Sequence, residues 1–118
     1  FCHRFYTSSK ITTKNRFAFR YGRAEARIKL PTGGQASLFF FFYGLWPAFW
    51  MMPQDNAYGR WAASGELDIF ESRNNLTEVT NNLNFGNAFP NNSNYNDECT
   101  LDFGAGSLQE FHTYAVEW

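Results

Sequence analysis

One stretch of the sequence decides the fold: Gly65-Glu66-Leu67-Asp68-Ile69-Phe70-Glu71-Ser72-Arg73. Its carboxylates are interspersed with apolar residues that favour β-strands. Residues two apart share a face of a strand, so Glu66 and Asp68 point the same way. A regular strand turns Glu71 to the opposite face, and a β-bulge, one extra residue between Asp68 and Glu71, brings it back. With such a bulge, Leu67 and one or both of Ile69 and Phe70 lie on the opposite, buried face of the strand.

Three acids on one surface are an unusual arrangement, because like charges repel and each raises the pKa of its neighbours. Such crowding occurs where chemistry requires it. Glycoside cleavage uses two carboxylates, one as nucleophile and one as general acid and then base, about 5–5.5 Å apart for retention and about 6.5–9.5 Å apart for inversion. The spacing of Glu66 and Glu71 permits retention. The same spacing is also compatible with two other interpretations, a solvated strand face that carries three acids and a cation-binding site.

Four blocks of the chain resemble glycoside hydrolase family 16 in its bulged, laminarinase-like form. Glu66–Glu71 fits the signature E-[ILV]-D-[IV]-x-E. Tyr21–Pro31 is similar to the strand upstream of the family's site, Gly44–Pro53 to the aromatic segment that precedes it, and Phe111–Trp118 to a later strand. The blocks occur in the family's order and cover most of the chain.

The resemblance implies a fold and a role for each acid. We expect an all-β protein, an antiparallel β-sandwich of the jelly-roll, concanavalin A-like kind, and no helical periodicity of any length opposes this. Residues 1–118 are expected to be the central portion of one catalytic domain, truncated at both ends. The resemblance makes Glu66 the nucleophile, Glu71 the general acid and then base, and Asp68 the residue that hydrogen-bonds the nucleophile.

Tryptophans on either side of the acidic strand are candidate sugar-binding residues. Trp46 and Trp50 straddle Pro47 at an even spacing, so in an extended segment they face one side together. The resemblance implies that both line a glucan-binding cleft, although either can instead belong to the core. Trp61 lies in the loop of residues 55–64, just before the acidic strand, and is a further candidate sugar platform.

Arg73 and Asn84 complete the candidate substrate-binding set. Arg73 directly follows the acidic strand and can hydrogen-bond sugar hydroxyls, hold a carboxylate ionised, or be a surface arginine. Val79–Gly86 resembles the strand after the catalytic one, where the family usually shows His-Trp-Gly or His-Gly. Here the sequence is Asn84-Phe85-Gly86. Asn84 can donate and accept hydrogen bonds but cannot titrate as a histidine does.

The rest of the chain shows two alternating segments and two irregular ones. Residues 23–30 alternate charged and apolar side chains, which predicts a strand with one buried and one solvated face. Phe111–Trp118 alternates in the same way. The polar residues 87–110 are predicted to form a long loop. Gln35–Tyr43, with four consecutive Phe, departs from the family's pattern and is either an extra loop or translated non-coding sequence.

The composition excludes several classes of protein. Ten basic and eleven acidic side chains give a net charge of −1 and no basic block, which argues against nucleic acid as a partner. The uncharged stretch Leu38–Met52 is shorter than the about 18–20 residues of a spanning helix and contains Gly44 and Pro47, so no membrane insertion is predicted. Cys2 and Cys99 form no CxxC motif, and they can make one disulfide in a secreted protein.

Fourteen Phe, six Tyr and four Trp suit a core together with a sugar-stacking cleft, since pyranose rings offer apolar C–H faces. The resemblance implies a secreted monomer that acts on β-glucan at internal β-1,3 or mixed β-1,3/1,4 bonds. It implies that catalysis needs no cofactor, with a structural calcium held mainly by residues outside this chain. The alternatives are a β-glucan recognition protein on the same fold, a galactan hydrolase or transglycosylase of the family, and a purely structural sandwich. Recognition proteins of this kind typically lose one or both catalytic glutamates, and this chain keeps its acids.

Overall fold

A computed structural model describes residues 7–31, 45–73, 78–100 and 110–118, without the side chains of residues 99 and 100. Within these ranges the regular elements are the strands β1 (Arg23–Ile28), β2 (Ala48–Met51), β3 (Glu66–Glu71), β4 (Glu78–Phe85), β5 (Ser93–Thr100) and β6 (His112–Glu117). No helix in the described ranges has the length and hydropathy to cross a membrane. Gln35–Tyr43 and Cys2 lie outside the described residues, so the expectations that concern them stay open.

The strands form two antiparallel sheets, which confirms the predicted all-β fold. One sheet has the order β2-β3-β4-β5, and the other pairs β1 with β6. The sheets meet over a shared apolar core, in which the rings of Phe70 on β3 and Tyr114 on β6 lie 4.3 Å apart, centroid to centroid. The buried members of this core are Leu30, Ile69, Phe70, Val79 and Tyr114. The β2-β3-β4-β5 sheet therefore has one face against the core and one face turned away from it.

The alternation in residues 23–30 produces the predicted two-faced strand. In β1 the apolar side chains are half-buried and the charged ones are exposed, and Leu30, just beyond the strand, is 1% exposed. On the outer face Arg23 forms ion pairs with Glu25 and with Glu117 of β6. Exposed ion pairs of this kind contribute little stability. Burial of the apolar face is what holds this sheet against the core.

A β-bulge interrupts β3 at the predicted place. Asp68 lies opposite Asn82 and Glu71 opposite Thr80, so three steps along β3 face two steps along β4. The extra residue lets two consecutive side chains face the core, and Ile69 is 4% and Phe70 1% exposed. Because of the bulge, Glu71 returns to the same face as Asp68.

The prediction that residues 87–110 form one long loop is wrong. Ser93–Thr100 forms β5, which pairs with β4 in an uninterrupted antiparallel register from Phe85↔Ser93 to Glu78↔Thr100. This pairing satisfies the backbone groups along the outer edge of β4, and that gain outweighs the low strand propensity of the asparagines. Every described side chain of β5 is exposed, so the burial of these side chains does not stabilise the strand.

Candidate active site

The three acids of β3 lie on the face of the sheet that is turned away from the core. Each faces a polar residue of β4 in the strand register, in the pairs Glu66–Asn84, Asp68–Asn82 and Glu71–Thr80. We call this surface, with the facing residues of β2, β4 and β5, the acid face. Gly65 begins it with a backbone φ of +92°, a conformation that side-chain-bearing residues rarely adopt. That turn lets the loop before β3 fold back beside Glu66.

Glu66 is held by two hydrogen-bond donors. The indole Nε1 of Trp61 donates to Oε2 at 2.9 Å, and Nδ2 of Asn84 donates to Oε1 at 3.3 Å. The pKa of Glu66 is raised, first by burial and then by the charge of Asp68, and the bond from Trp61 and the charge of Lys10 oppose this rise without reversing it. Donors of this kind favour the ionised carboxylate, and they fix the direction of its oxygens.

Within the described part of the chain, Glu71 accepts a hydrogen bond from a tryptophan side chain and has a cation nearby. Trp46 Nε1 donates to Oε1 at 3.0 Å, and the guanidinium carbon of Arg73 lies 3.6 Å from the centroid of the Trp46 ring. Burial and then the charge of Asp68 raise the pKa of Glu71, with opposing effects from Trp46 and Arg73. A raised pKa favours the protonated form that a general acid needs.

Asp68 lies between the two glutamates and is the most buried of the three acids, at 3% exposure. Asn82 Nδ2 donates to its Oδ2 at 3.0 Å. Burial raises the pKa of Asp68, and the bond from Asn82 opposes this. Its charge raises the pKa of both Glu66 and Glu71, so the three carboxyls titrate as an interacting set.

The buried position of Asp68 predicts a pH-dependent gain in stability for Asp68→Asn. Because the folded-state pKa is raised, the protonated carboxyl favours the fold below its ordinary pKa, and this contribution is lost as pH rises through the raised value. The amide keeps the shape without the charge. We expect the variant of the intact protein to melt about 2–4 °C above the parent at pH 7 and level with it near pH 3, measured by calorimetry.

Asp55→Asn, in the exposed loop before β3, is the matched control and is expected to leave the melting temperature unchanged at both pH values. A lower melting temperature of Asp68→Asn at pH 7, or an equal gain at both pH values, would contradict this prediction.

The predicted tryptophans surround the acids. Trp50 lies opposite Asp68 in the register, and Trp46 contacts Glu71, so the prediction that they face one side together is confirmed. Trp61 lies in the loop before β3, is 40% exposed, and has its ring 5.6 Å from that of Phe89. Arg73 lies over Trp46, so a guanidinium already covers one face of that indole.

Asn84 is buried, whereas a side chain that contacts a sugar would be exposed on the acid face. It is 8% exposed, its Nδ2 donates to Glu66, and its Oδ1 accepts from Nδ2 of Asn92 at 3.4 Å. The structure therefore places Asn84 as a support of Glu66. Its binding of substrate stays a prediction.

The sequence patterns missed two contributors to this site. Lys10 places its Nζ 4.2 Å from the centroid of the Trp50 ring, and its charge acts on Glu66. Asn82 holds Asp68. Lys10 lies far from both partners in the sequence, so no local pattern marks it. The β4 register, once fixed, identifies Asn82, because it sits directly opposite Asp68.

The described ranges contain no group of three or more His, Cys, Asp or Glu side chains arranged to hold a metal ion. The expected structural calcium stays a prediction.

The fold and the acid face together define an antiparallel β-sandwich protein with three carboxylates on the face of its four-stranded sheet that is turned away from the core. The sequence profile of Glycosyl hydrolases family 16 matches residues 2–118. The chain belongs to that family.

Known proteins similar to the chain include both enzymes and binding proteins. It is 40% identical over 114 residues to glucan endo-1,3-beta-glucosidase A1 of Niallia circulans, covering 96% of this chain and 15% of that protein. It is 38% identical over 120 residues to a beta-1,3-glucan-binding protein of Penaeus monodon, covering 95% of this chain and 30% of the relative. The chain thus spans less than a third of either relative.

Among solved structures, the fold matches the family 16 enzyme of the Bacteroides ovatus mixed-linkage glucan locus in complex with a G4G4G3G product. The TM-score is 0.70 at 29% identity, covering 89% of this chain and 43% of that chain. The jelly-roll assignment made from the sequence is confirmed.

Proposed function

We propose that the protein is an endo-acting, retaining glycoside hydrolase that cleaves internal β-1,3 linkages, or mixed β-1,3/1,4 linkages, of β-glucans such as laminarin. One observation carries the proposal: the bulge in β3 puts Glu66 and Glu71 on the same face, with Asp68 between them. Two carboxylates on one surface are what glycoside cleavage needs, and the resemblance to laminarinase-like enzymes of the family implies the retaining course. Similarity to an endo-1,3-glucosidase over nearly the whole chain supports the substrate class.

The mechanism uses the carboxyl groups in two steps. Ionised Glu66 attacks the anomeric carbon while Glu71 gives its proton to the departing glycosidic oxygen, which forms a glycosyl ester on Glu66 and releases the first sugar product. Glu71, now ionised, then takes a proton from water as the water oxygen attacks the same carbon. The ester bond breaks, Glu66 is ionised again, and Glu71 is protonated for the next cycle.

The hydrogen bonds support this division of roles. Glu66 accepts from Trp61 and Asn84, which stabilise a carboxylate and direct its oxygens. Among the described side chains, Glu71 accepts one hydrogen bond, from Trp46. Burial and then the charge of Asp68 raise the pKa of Glu71, which helps to keep a proton there in the free enzyme. The same two causes raise the pKa of Glu66, so the division of roles depends on the hydrogen bonds and not on these shifts.

A second candidate is β-glucan recognition without hydrolysis. The similarity to the Penaeus monodon beta-1,3-glucan-binding protein over 95% of this chain favours it. The retained acids of β3 and their supporting hydrogen bonds favour hydrolysis, because three crowded carboxylates add repulsion that a neutral binding surface does not need.

Reducing-sugar release from laminarin by the intact protein, alongside binding to insoluble β-1,3-glucan, distinguishes the two. We expect the parent to release reducing ends and Glu66→Ser to bind glucan without releasing them. Binding by both proteins without hydrolysis by either would favour recognition. Hydrolysis that survives Glu66→Ser would remove Glu66 from the role of nucleophile.

A further inference from the structure

Two tryptophans beside the acids have a cation against one face of the ring. The guanidinium carbon of Arg73 lies 3.6 Å from the centroid of the Trp46 ring. On Trp50 the cation is Lys10, whose Nζ lies 4.2 Å from the ring centroid. Trp46 is also the residue whose Nε1 donates to Glu71, at 3.0 Å. One indole therefore contacts a cation through its face and the proposed general acid through its edge.

The backbone brings Arg73 and Trp46 together. The amide N–H of Ser72 donates to the carbonyl oxygen of Pro47 at 3.1 Å, which continues the pairing of β2 with β3 by one residue. Trp46 directly precedes Pro47 and Arg73 directly follows Ser72. Ser72 is 3% exposed, and the ring of Pro47 restricts its backbone φ. The contact between Arg73 and Trp46 is therefore set by paired backbone.

A cation over an indole acts on the N–H group of the same ring. The positive charge attracts the ring electrons, which holds the ring in place. It also draws electron density away from Nε1, and groups that polarise one another in this way form stronger hydrogen bonds. Arg73 therefore fixes the direction of the Trp46 N–H group and strengthens its bond to Glu71.

Acids approach Glu71 from three strands, and β2 places the neutral Ala48 opposite it. These acids are Glu66 and Asp68 of β3, Glu78 of β4 and Glu98 of β5. Arg73 is the cation among the described residues that line the groove beside Glu71. Burial and then the charge of Asp68 raise the pKa of Glu71. The bond from Trp46 and the charge of Arg73 oppose this rise, so the two residues together favour the ionised carboxyl.

This support acts on the step in which Glu71 loses its proton. In the proposed function, on which this inference rests, Glu71 protonates the departing oxygen and becomes an anion while the glycosyl ester forms on Glu66. A donor that already points at the carboxyl stabilises the developing charge without reorganisation. The N–H group of Trp46 is such a donor, and Arg73 keeps it in place.

We propose that Arg73 is a positioning residue of the general acid: it holds the Trp46 indole with Nε1–H on Glu71 and so assists proton transfer to the departing oxygen. The proton passes from Glu71 to the glycosidic oxygen, and the carboxylate left behind keeps the bond from Trp46. Arg73 acts on the reaction through Trp46 and through its charge, without touching the sugar. A direct hydrogen bond from Arg73 to sugar hydroxyls is a different role, and aryl donors distinguish the two.

Arg73→Gln in the intact protein removes the cation and keeps a side chain that can hydrogen-bond a sugar. Without substrate, we expect the Trp46 indole proton to exchange with water about two- to fivefold faster than in the parent, the scale of a cation–π contact at an exposed site. Proton–nitrogen NMR measures this rate. The absence of the resonance from Trp46→Phe identifies it.

Aryl donors have no sugar in the leaving group, so they report on proton transfer without sugar binding on that side. A phenyl β-1,3-linked glucobioside needs a proton for the phenol to depart, whereas the 2,4-dinitrophenyl compound does not. For Arg73→Gln we expect kcat/KM below the basic limb to fall about fivefold on the phenyl donor and to stay unchanged on the dinitrophenyl donor. The basic limb on the phenyl donor should move to higher pH, because the lost cation no longer opposes the rise in the pKa of Glu71.

Arg27→Gln is the matched control, because the guanidinium carbon of Arg27 lies 4.6 Å from the ring centroid of Phe111, beside the sheet of β1 and β6. It should leave every readout unchanged. Parental exchange and a parental basic limb in Arg73→Gln would overturn the positioning role. A loss on laminarin alone would overturn it by assigning Arg73 to sugar binding, and an equal loss on both aryl donors by assigning it a structural role.

Failure of the proposed function gives a different result. A parent that hydrolyses neither laminarin nor the aryl donors would overturn the hydrolase assignment. Faster exchange of the Trp46 indole proton in Arg73→Gln would still support the positioning of that indole by Arg73, because exchange is measured without substrate.

Discussion

Glu66→Gln in the intact protein is expected to lower kcat/KM on laminarin by at least about a thousandfold, the scale on which a covalent nucleophile is lost. The amide occupies the space of the carboxylate and can still meet Trp61, but it cannot form the glycosyl ester. Circular dichroism and glucan binding should match those of the parent, because glutamine has the size of glutamate. The substitution also removes a charge that repels Asp68, so it introduces no new unfavourable contact on the acid face. Steady-state reducing-sugar release measures the effect.

Glu25→Gln is the control for Glu66→Gln. Glu25 is exposed on β1, where its ion pair with Arg23 contributes little stability, so activity is expected to stay within about twofold. A Glu66→Gln protein that retains a tenth or more of the parental activity would contradict the assignment of the nucleophile.

Glu71→Ala is expected to show a defect that depends on the leaving group. Loss of acid and base assistance should slow laminarin hydrolysis about 10²–10⁴-fold. From a 2,4-dinitrophenyl glucobioside the dinitrophenolate departs without protonation, so the first step should proceed and the glycosyl ester on Glu66 should accumulate. Azide, which attacks without a base, should then accelerate turnover and give the β-glycosyl azide. Rapid-quench kinetics and proton NMR of the azide product measure both effects.

The parental protein is the control in the azide experiment and should not respond to it, since Glu71 already activates water. An α-configured glycosyl azide from Glu71→Ala would show that azide attacks the substrate directly and not a glycosyl ester. That result would make Glu71 the nucleophile and Glu66 the acid and base. An equal loss on laminarin and on the dinitrophenyl donor, with no azide effect, would remove Glu71 from the acid–base role.

Much of this arrangement could be predicted from the sequence, because the relevant patterns are local. The period-two alternation of residues 23–30 defines which face of β1 is buried. The bulge in β3 follows from the spacing of its acids, since Asp68 and Glu71 share a face only if one residue is extra. Two adjacent apolar residues, Ile69 and Phe70, supply the pair of buried side chains that such a bulge allows.

The features that could not be predicted have no local pattern in the sequence. The described side chains of β5 are all exposed, so the strand shows no alternation of buried and solvated residues. Its asparagines favour turns, and only pairing with β4 makes it a strand. Lys10 reaches Trp50 across a long stretch of sequence. Asn84 was expected to meet substrate in the place of a histidine, and its buried contacts with Glu66 and Asn92 appear only once β4 is paired.

The division of labour between Glu66 and Glu71 is tested most directly by trapping the glycosyl ester. A 2-deoxy-2-fluoro β-glucoside with a dinitrophenyl leaving group slows breakdown of the ester, so the intact protein should gain one fluoroglycosyl group. Peptide mass spectrometry is expected to place that group on Glu66. A label on Glu71, or complete turnover of the compound with α-configured product and no labelled peptide, would contradict the proposed mechanism.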